Sequence, residues 1–250
     1  MRLDVYLVEK GLFSTRNKAQ VAIKDNAISV NGKIISKPNY DVADTDDVVI
    51  LKEANPYVSR GGFKLEKAIK EFNLDFTNKT VLDIGSSTGG FTDCSLKHGA
   101  KLVYSVDVGT NQLDESLLNR NDVVVYEQTN ILDVHSLPTP IDFIVMDVSF
   151  VSIEYILPAV DRFLNDDNGF VCLIKPQFEV GKVHMKNGVV KDRNTHIRVI
   201  ENVRDVLKQY NMGILKLIPS PILGGSGNKE FLAYIKRNVE SKVNIIEVCK

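Results

Sequence analysis

The chain has 250 residues, 44% of them hydrophobic, and its 31 Lys and Arg nearly balance its 32 Asp and Glu for a formal net charge of −1. That length suits one medium domain with a small companion and buries a core without covalent staples. The balance excludes a uniformly basic chromatin-type protein and an acidic disordered one, and the three cysteines, Cys94, Cys172 and Cys249, are too scattered for a disulfide framework or a zinc site.

In chain order, residues 2–11 place Leu3, Leu7 and Val8 on one helical face, with Gly11 ending the turn. Ser14 or Thr15 is a candidate cap for a second helix running to about Lys24, with Ala19, Ala22 and Ile23 inward and Arg16, Lys18 and Lys24 mostly outward. AISVNGKII then reads as a hairpin about Asn31-Gly32, and DDVVIL at 46–51 as a last strand. Residues 1–52 thus form a small α+β domain, and 53–59, with Pro56, a linker. From 60 to 240, strand-length apolar runs at 81–84, 102–106, 123–126, 142–146, 170–174, 214–218 and 230–235 alternate with helical patterns at 60–72, 90–98, 152–164 and 195–210. Such alternation predicts an α/β domain, Rossmann-like, with a seven-stranded, mostly parallel sheet. The connection PSPILGGSGNK is too short for a crossover helix, so the seventh strand is expected antiparallel. Residues 241–250 read as a tail.

The N-terminus has no apolar stretch of signal-peptide type, and no run of about 18 apolar residues offers a membrane helix, so a cytoplasmic location is the expectation. Charge is segregated. Between Lys10 and Lys37, six basic residues face only Asp25; between Asp107 and Asp147, eight acids face only Arg120; between Lys175 and Arg198, six basic residues face Glu179 and Asp192. The neutral total therefore comes from basic blocks cancelling an acidic one.

The stretch VLDIGSSTGGF runs from a strand through Asp83, Gly85, Ser86, Ser87, Thr88, Gly89, Gly90 and Phe91 into a helix. Glycines there bring bare backbone and a helix N-terminus to a ligand. The spacing is not G-x-G-x-x-G; it is similar to the looser loop of S-adenosylmethionine methyltransferases, with a nucleotide dehydrogenase as the competing reading. Asp107 ends the second strand where an acid grips ribose hydroxyls, and Asn130 and Ile131 follow the third where adenine would be read. In an open sheet, ligands bind beyond the carboxyl ends of the parallel strands. Topology brings Asp147, Lys175, Glu230 and, from the start of the preceding helix, Lys64 to that edge. Singly, each lysine has a plainer reading as a snorkelling side chain, and Asp147 as a helix cap. No histidine has metal-ligand spacing, so no metal is expected.

Arg2-Leu3-Asp4, Ser-Thr-Arg-x-x-Ala-Gln at 14–20 and Val30-Asn31-Gly32-Lys33 resemble the S4 RNA-binding domain. The order Lys64, Asp147, Lys175, Glu230 resembles the tetrad of the FtsJ-like ribose 2′-O-methyltransferases. With Ser59-Arg60-Gly61-Gly62, Asp147-Val148-Ser149-Phe150, Lys175-Pro176-Gln177-Phe178-Glu179 and Gly225-Ser226-Gly227-Asn228-x-Glu230, the whole chain resembles the TlyA (haemolysin A) family of ribosomal RNA methyltransferases. That resemblance implies S-adenosylmethionine as cofactor and a ribose 2′-hydroxyl of ribosomal RNA, a cytidine in the relatives, as acceptor. Members that begin at the S4-like helix, as this chain does at Met1-Arg2, imply the large-subunit RNA. Lys175 is then the expected base on the 2′-hydroxyl, Asp147 and Glu230 orient it, and Lys64 positions ribose or phosphate. The RNA track is expected along Arg2, Arg16, Lys18, Lys24, Lys33, Lys37, Arg60, Lys182, Lys191 and Arg193. Two other classes stay open: a non-enzymatic RNA-binding assembly factor, which would bind the cofactor without modifying RNA, and a cytolysin, which no apolar span supports.

Overall fold

The computed structural model describes residues 1–13, 15–24, 26–51, 55–181, 185 and 187–250. They fall into two compact units, Met1–Ser59 and Arg60–Lys250. Residues 55–59 of the expected linker thus go with the first unit, while Lys52, Glu53 and Ala54 lie outside the described residues.

In the first unit, α1 (Leu3–Glu9) and α2 (Arg16–Lys24) share a core with a three-stranded antiparallel sheet of β1 (Ile28–Val30), β2 (Lys33–Ile34) and β3 (Val48–Ile50), in the order β2-β1-β3. Leu3, Leu7, Ile23 and Ile28 are fully buried there, and burying such a side chain contributes about 1.5–3 kcal/mol. Thr15 Oγ1 accepts the Lys18 N–H at 3.3 Å and so caps α2; Ser14, the other candidate, is outside the described residues. The hairpin turns where Asn31 and Gly32 both take positive φ, 51° and 75°, the backbone that a two-residue turn between twisted strands demands.

The second unit is a seven-stranded sheet of β4 (Thr80–Ile84), β5 (Leu102–Val106), β6 (Val123–Tyr126), β7 (Phe143–Met146), β8 (Gly169–Ile174), β9 (Met212–Pro219) and β10 (Phe231–Arg237), ordered β6-β5-β4-β7-β8-β10-β9. Strands β4 to β8 pair in parallel, and β10 runs antiparallel to both β8 and β9, as the short connection requires. Residues of β4 and β8 are buried along their whole length, which is why they read as continuous apolar runs without alternation. The helices α3 (Gly61–Phe72), α4 (Gly90–Lys97), α5 (Glu115–Leu118), α6 (Ile153–Phe163), α7 (Pro176–Glu179) and α8 (Arg193–Gln209) connect them.

The expected tail is folded. Residues 245–248 form α9 (Ile245–Val248), and Ile245 and Cys249 join the main core beside Leu207, Met212 and Ile214. The apolar positions Val243, Ile245, Val248 and Cys249 make this energetically sound, because they cover core that would otherwise meet water. Arg193 is drawn into the same construction: its Nη2 and Nε donate to the carbonyls of Ile246 and Cys249 at 2.7 and 3.3 Å. No described helix is long and apolar enough to cross a membrane.

Candidate active site

The sheet register assembles the polar site. Phe231 pairs with Ile174, so Glu230, just before one, and Lys175, just after the other, come to the same end of the sheet. Asp147 follows β7 and donates its own N–H to Ile84 O at 3.1 Å, beside the end of β4. Lys64 lies in the first turn of α3. The four side chains form one continuous chain of charge. Lys175 Nζ lies 2.5 Å from Asp147 Oδ1, Asp147 Oδ2 lies 3.5 Å from Lys64 Nζ, and Lys64 Nζ donates to Glu230 Oε2 at 2.8 Å. Lys64, Lys175 and Glu230 are all buried, and two ammonium groups against two carboxylates make that burial tolerable.

Three further residues hold this chain, and none was singled out from sequence. Ser149 Oγ accepts from Lys175 Nζ at 2.8 Å. Gln177 Nε2 donates to Glu230 Oε1 at 3.0 Å. Gly224 leaves room for the Glu230 carboxylate, since a Cβ there would overlap Oε1. Ser149 and Gln177 each stand two residues past a tetrad member, inside the motifs Asp147-Val148-Ser149-Phe150 and Lys175-Pro176-Gln177, which is the signal that could have found them. Phe150 stands at the rim, 91% exposed and with φ of 66°, a strained backbone for a bulky residue; its ring lies 5.0 Å from that of Phe178.

A cavity of 440 Å³ opens beside the tetrad. Its wall includes Ile84, Gly85, Ser87, Asp107, Asn130, Ile131, Asp147 and Val148. Of the glycine-rich loop, Gly85 and Ser87 face it, Thr88 is exposed, and Ser86, Gly89, Gly90 and Phe91 are buried. Asp107 takes the Ser87 N–H on Oδ2 at 2.8 Å and the Gly109 N–H on Oδ1 at 2.7 Å, which fixes its carboxylate at the rim. These features fit S-adenosylmethionine. The volume suits a small molecule, apolar Ile84, Ile131 and Val148 share the lining with Asn130, and the carboxylates of Asp107 and Asp147 have the chemistry to receive a diol and a cation. At Gly85 a Cβ would lie 3.0 Å from Val148 Cγ1, so only bare backbone keeps that wall open.

Asp83 lies under the loop, wholly buried. Its Oδ2 accepts from Thr92 Oγ1 at 2.6 Å, while Oδ1 accepts no hydrogen bond among the described residues. Burial pushes its carboxyl up to about 7; the Thr92 hydrogen bond opposes that, and the charges of Asp147 and Asp107 add to it. Glu179, at the end of α7, accepts the Ile153 N–H at 2.9 Å and so ties the Lys175 loop to the start of α6. Burial raises its carboxyl to about 7 as well, against that hydrogen bond. The Cys172 thiol is pushed far up by burial, in keeping with an inert core cysteine. Among the described residues, no group of His, Cys, Asp and Glu is arranged to hold a metal.

Of the expected RNA track, Lys18, Lys24, Lys33, Lys37, Arg60 and Lys191 are exposed, and Lys182 lies outside the described residues. Arg2 and Arg16 meet on one buried carboxylate, that of Asp4. Arg193 points elsewhere, to the carbonyls of α9, because those free C-terminal carbonyls attract a cation.

Residues 57–237 match the family model described as FtsJ-like methyltransferase, and residues 1–49 match the S4 domain. The chain is 41% identical to hemolysin A of Brachyspira hyodysenteriae over 241 residues, covering 94% of this chain and 99% of that one. It is 35% identical to the 16S/23S rRNA (cytidine-2′-O)-methyltransferase TlyA of Mycobacterium tuberculosis, over 96% of this chain and 91% of that one. It is 31% identical to the 23S rRNA (cytidine-2′-O)-methyltransferase TlyA of Campylobacter jejuni, over 95% of this chain and the full length of the other. Among solved structures, one from Streptococcus thermophilus named as a hemolysin superposes with a TM-score of 0.80 at 40% identity, over all of this chain and 94% of that one.

Proposed function

The chain belongs to the FtsJ-like methyltransferases, in the branch of TlyA and hemolysin A, and on that premise we propose that it moves a methyl group from S-adenosylmethionine to the 2′-hydroxyl of a cytidine in ribosomal RNA. Large-subunit RNA is the favoured substrate, because 23S RNA is common to the names of both TlyA relatives. Such a substrate puts the protein where ribosomes are, in the cytoplasm.

The observation that carries the reading is the chain Lys175, Asp147, Lys64, Glu230, of which Asp147 lines the cavity. When bound, S-adenosylmethionine supplies an electrophilic methyl on a sulfonium. Asp107 and Asn130 would hold its ribose and adenine, and the carboxylates of Asp107 and Asp147 would offset its charge. A ribose hydroxyl is a weak nucleophile, so its proton must leave during or after attack. Lys175 Nζ would take it as the free amine, after giving up one proton of its own, and its contacts with Asp147 and Ser149 hold it so that little reorganisation is needed. Lys64, anchored by Glu230, would face the phosphate or the neighbouring hydroxyl. Glu230 is in turn fixed by Gln177, so the acceptor meets a preset arrangement.

The test is transfer of labelled methyl from S-adenosylmethionine onto each purified ribosomal subunit, followed by alkaline hydrolysis. A 2′-O-methyl protects its own linkage, so label should appear in an alkali-stable dinucleotide from large-subunit RNA. Label recovered only in mononucleotides would make the acceptor a base and end this reading.

A further inference from the structure

A loop at the rim of the cavity is held more firmly than a surface connection requires. Glu127, which follows β6, accepts three consecutive backbone N–H groups: that of Asn111 on Oε2 at 2.9 Å, and those of Gln112 and Leu113 on Oε1 at 3.0 and 3.4 Å. Asn111 has a φ of 51°, the left-handed turn that lets successive N–H groups converge on one anion. The Asn111 hydrogen bond leads in lowering the Glu127 carboxyl below its ordinary value; those of Gln112 and Leu113 add to it, and together they outweigh burial. On its other side the loop meets the glycine-rich loop. Leu113 is buried against Gly89, where a Cβ would stand 2.8 Å from Leu113 Cδ1, and the Asp114 N–H donates to Thr88 O at 3.3 Å. The backbone of Gln112 is therefore pinned from both sides.

Its side chain is not. It is exposed, lines the cavity and has no hydrogen-bond partner among the described residues. It lies across Gly109: a Cβ there would overlap Gln112 Nε2 and would stand 3.0 Å from Asp107 Oδ1. The amide and the carboxylate thus flank one spot on the cavity wall. Gly109 has no positive φ, so its backbone suits other residues, and what its missing Cβ provides is room for that amide.

The two groups are chemically complementary. Asp107 already accepts from Ser87 and Gly109, one N–H on each oxygen, which leaves each oxygen a lone pair for a further donor. A carboxylate only accepts, so a hydroxyl that donates to it keeps an oxygen with no donor of its own. The Gln112 amide carries two N–H donors at that place. An amide beside a carboxylate offers a sugar hydroxyl both halves of its hydrogen bonding.

We propose that Gln112 is a cofactor-binding residue, whose amide donates to one ribose hydroxyl of S-adenosylmethionine while Asp107 accepts from the diol, and that Glu127 is the positioning residue that holds Gln112 for it. The proposal rests on the reading of the cavity as an S-adenosylmethionine site and adds which residue completes recognition of the sugar.

The probes are S-adenosylhomocysteine, which has the same ribose and no sulfonium charge, and its 2′-deoxy and 3′-deoxy analogues. Their dissociation constants are measured by titration calorimetry on the full-length protein without RNA. Gln112→Leu keeps the bulk of the side chain and removes its donors. It should weaken S-adenosylhomocysteine about tenfold, as the loss of one hydrogen bond does. It should weaken one deoxy analogue, the one lacking the hydroxyl that Gln112 serves, by less than about twofold, and the other by the full tenfold. Gly109→Ala leaves Gln112 in place and displaces its amide; it should give the same pattern. Glu127→Gln should repeat the pattern, and adding it to Gln112→Leu should cost nothing further, because it acts through the same amide. Equal losses on all three ligands in Gln112→Leu, or no loss at all, overturn the proposal, since a residue that only shapes the rim cannot tell one hydroxyl from another. Losses that add in the double variant overturn the role of Glu127. Wild-type protein that binds neither S-adenosylhomocysteine nor S-adenosylmethionine refutes the cofactor reading itself, a different result from uniform losses in a protein that binds them.

Discussion

Asp83 gives the sharpest quantitative handle on the site. Replacing it by Asn keeps the shape and leaves an oxygen to accept from Thr92, but removes the charge that burial opposes. The folded chain holds the Asp83 proton up to about pH 7, whereas the unfolded chain releases it near 3.8. Stability from this group is therefore fully present below 3.8 and is lost as pH rises to about 7. Three pH units at about 1.4 kcal/mol each set a ceiling of about 4 kcal/mol, of which about 3 kcal/mol falls above pH 5. Asp83→Asn should thus gain on the wild type between pH 5 and pH 8, by about 6–10 °C in melting temperature for a unit of this size. Thermal melts of both proteins at the two pH values measure it, and Glu179, which both keep, cancels in the difference. The reasoning has a second consequence. Asp147 and Asp107 already act on Asp83 through their charges, so a cation seated between them acts with the opposite sign. Binding of S-adenosylmethionine near pH 7 should expel a proton, seen by titration calorimetry in buffers of different ionisation enthalpy, and Asp83→Asn should abolish that release. Parallel melting curves for the two proteins from pH 5 to pH 8 would refute the account.

Lys175→Arg keeps a cation that cannot give up its proton; turnover should fall at least about a hundredfold while cofactor binding persists, and full turnover with normal binding would take the base role from Lys175. Gly224→Ala puts a methyl group where Glu230 Oε1 lies, displacing that carboxylate and with it Lys64. Single-turnover methyl transfer should drop about tenfold with little change in cofactor affinity, since a misplaced catalytic group costs rate before it costs binding. Glu179→Gln still accepts the Ile153 N–H but sheds a carboxylate whose burial raises it to about 7. As with Asp83, the sign makes the variant equal at low pH and more stable at pH 8, by about 1–2 kcal/mol after allowing for partial exposure; a denaturant melt at each pH reads it.

The strands of the second unit were legible because parallel strands buried on both faces must be continuous apolar runs, and the antiparallel end of the sheet followed from one short connection. The same topology placed Lys64, Asp147, Lys175 and Glu230 at one edge, since a strand end needs no side-chain detail to be located. Ser149, Gln177 and Gly224 were not legible. Ser149 and Gln177 act through contacts between segments distant in sequence, and Gly224 through a contact inside one loop, and periodicity carries no information about which loop residue turns inward. Asp4 is the intermediate case. It stands three and four residues before Leu7 and Val8, on the apolar face of α1, and an acid buried on such a face must find polar partners. The last ten residues were misread because a segment this short has no period long enough to announce a helix; its apolar positions are explained only by the core they cover.

The acidic block shows why charge counted along a chain differs from charge in space. From the sequence, Asp107 to Asp147 reads as an acidic block that the basic blocks cancel. In the fold six of its eight acids are engaged by nearby groups. Asp114 caps α5 through the Ser116 N–H, Glu127 accepts from Asn111 and Gln112, and Asp107 accepts from Ser87 and Gly109. Asp122 pairs with Arg120 inside the block, but Asp142 pairs with Lys79, and Asp147 with Lys64 and Lys175, all brought from outside it. The field of this region is therefore weaker than the window suggests, and of the acids that no cation meets, Asp107 lines the cavity, where a cationic cofactor would offset it. Lys18, Lys24, Lys33 and Lys37 are each exposed on the first unit. On the proposed reading, selectivity for one RNA orientation would come from where these cations and the arginines on Asp4 stand, and not from repulsion by an acidic face.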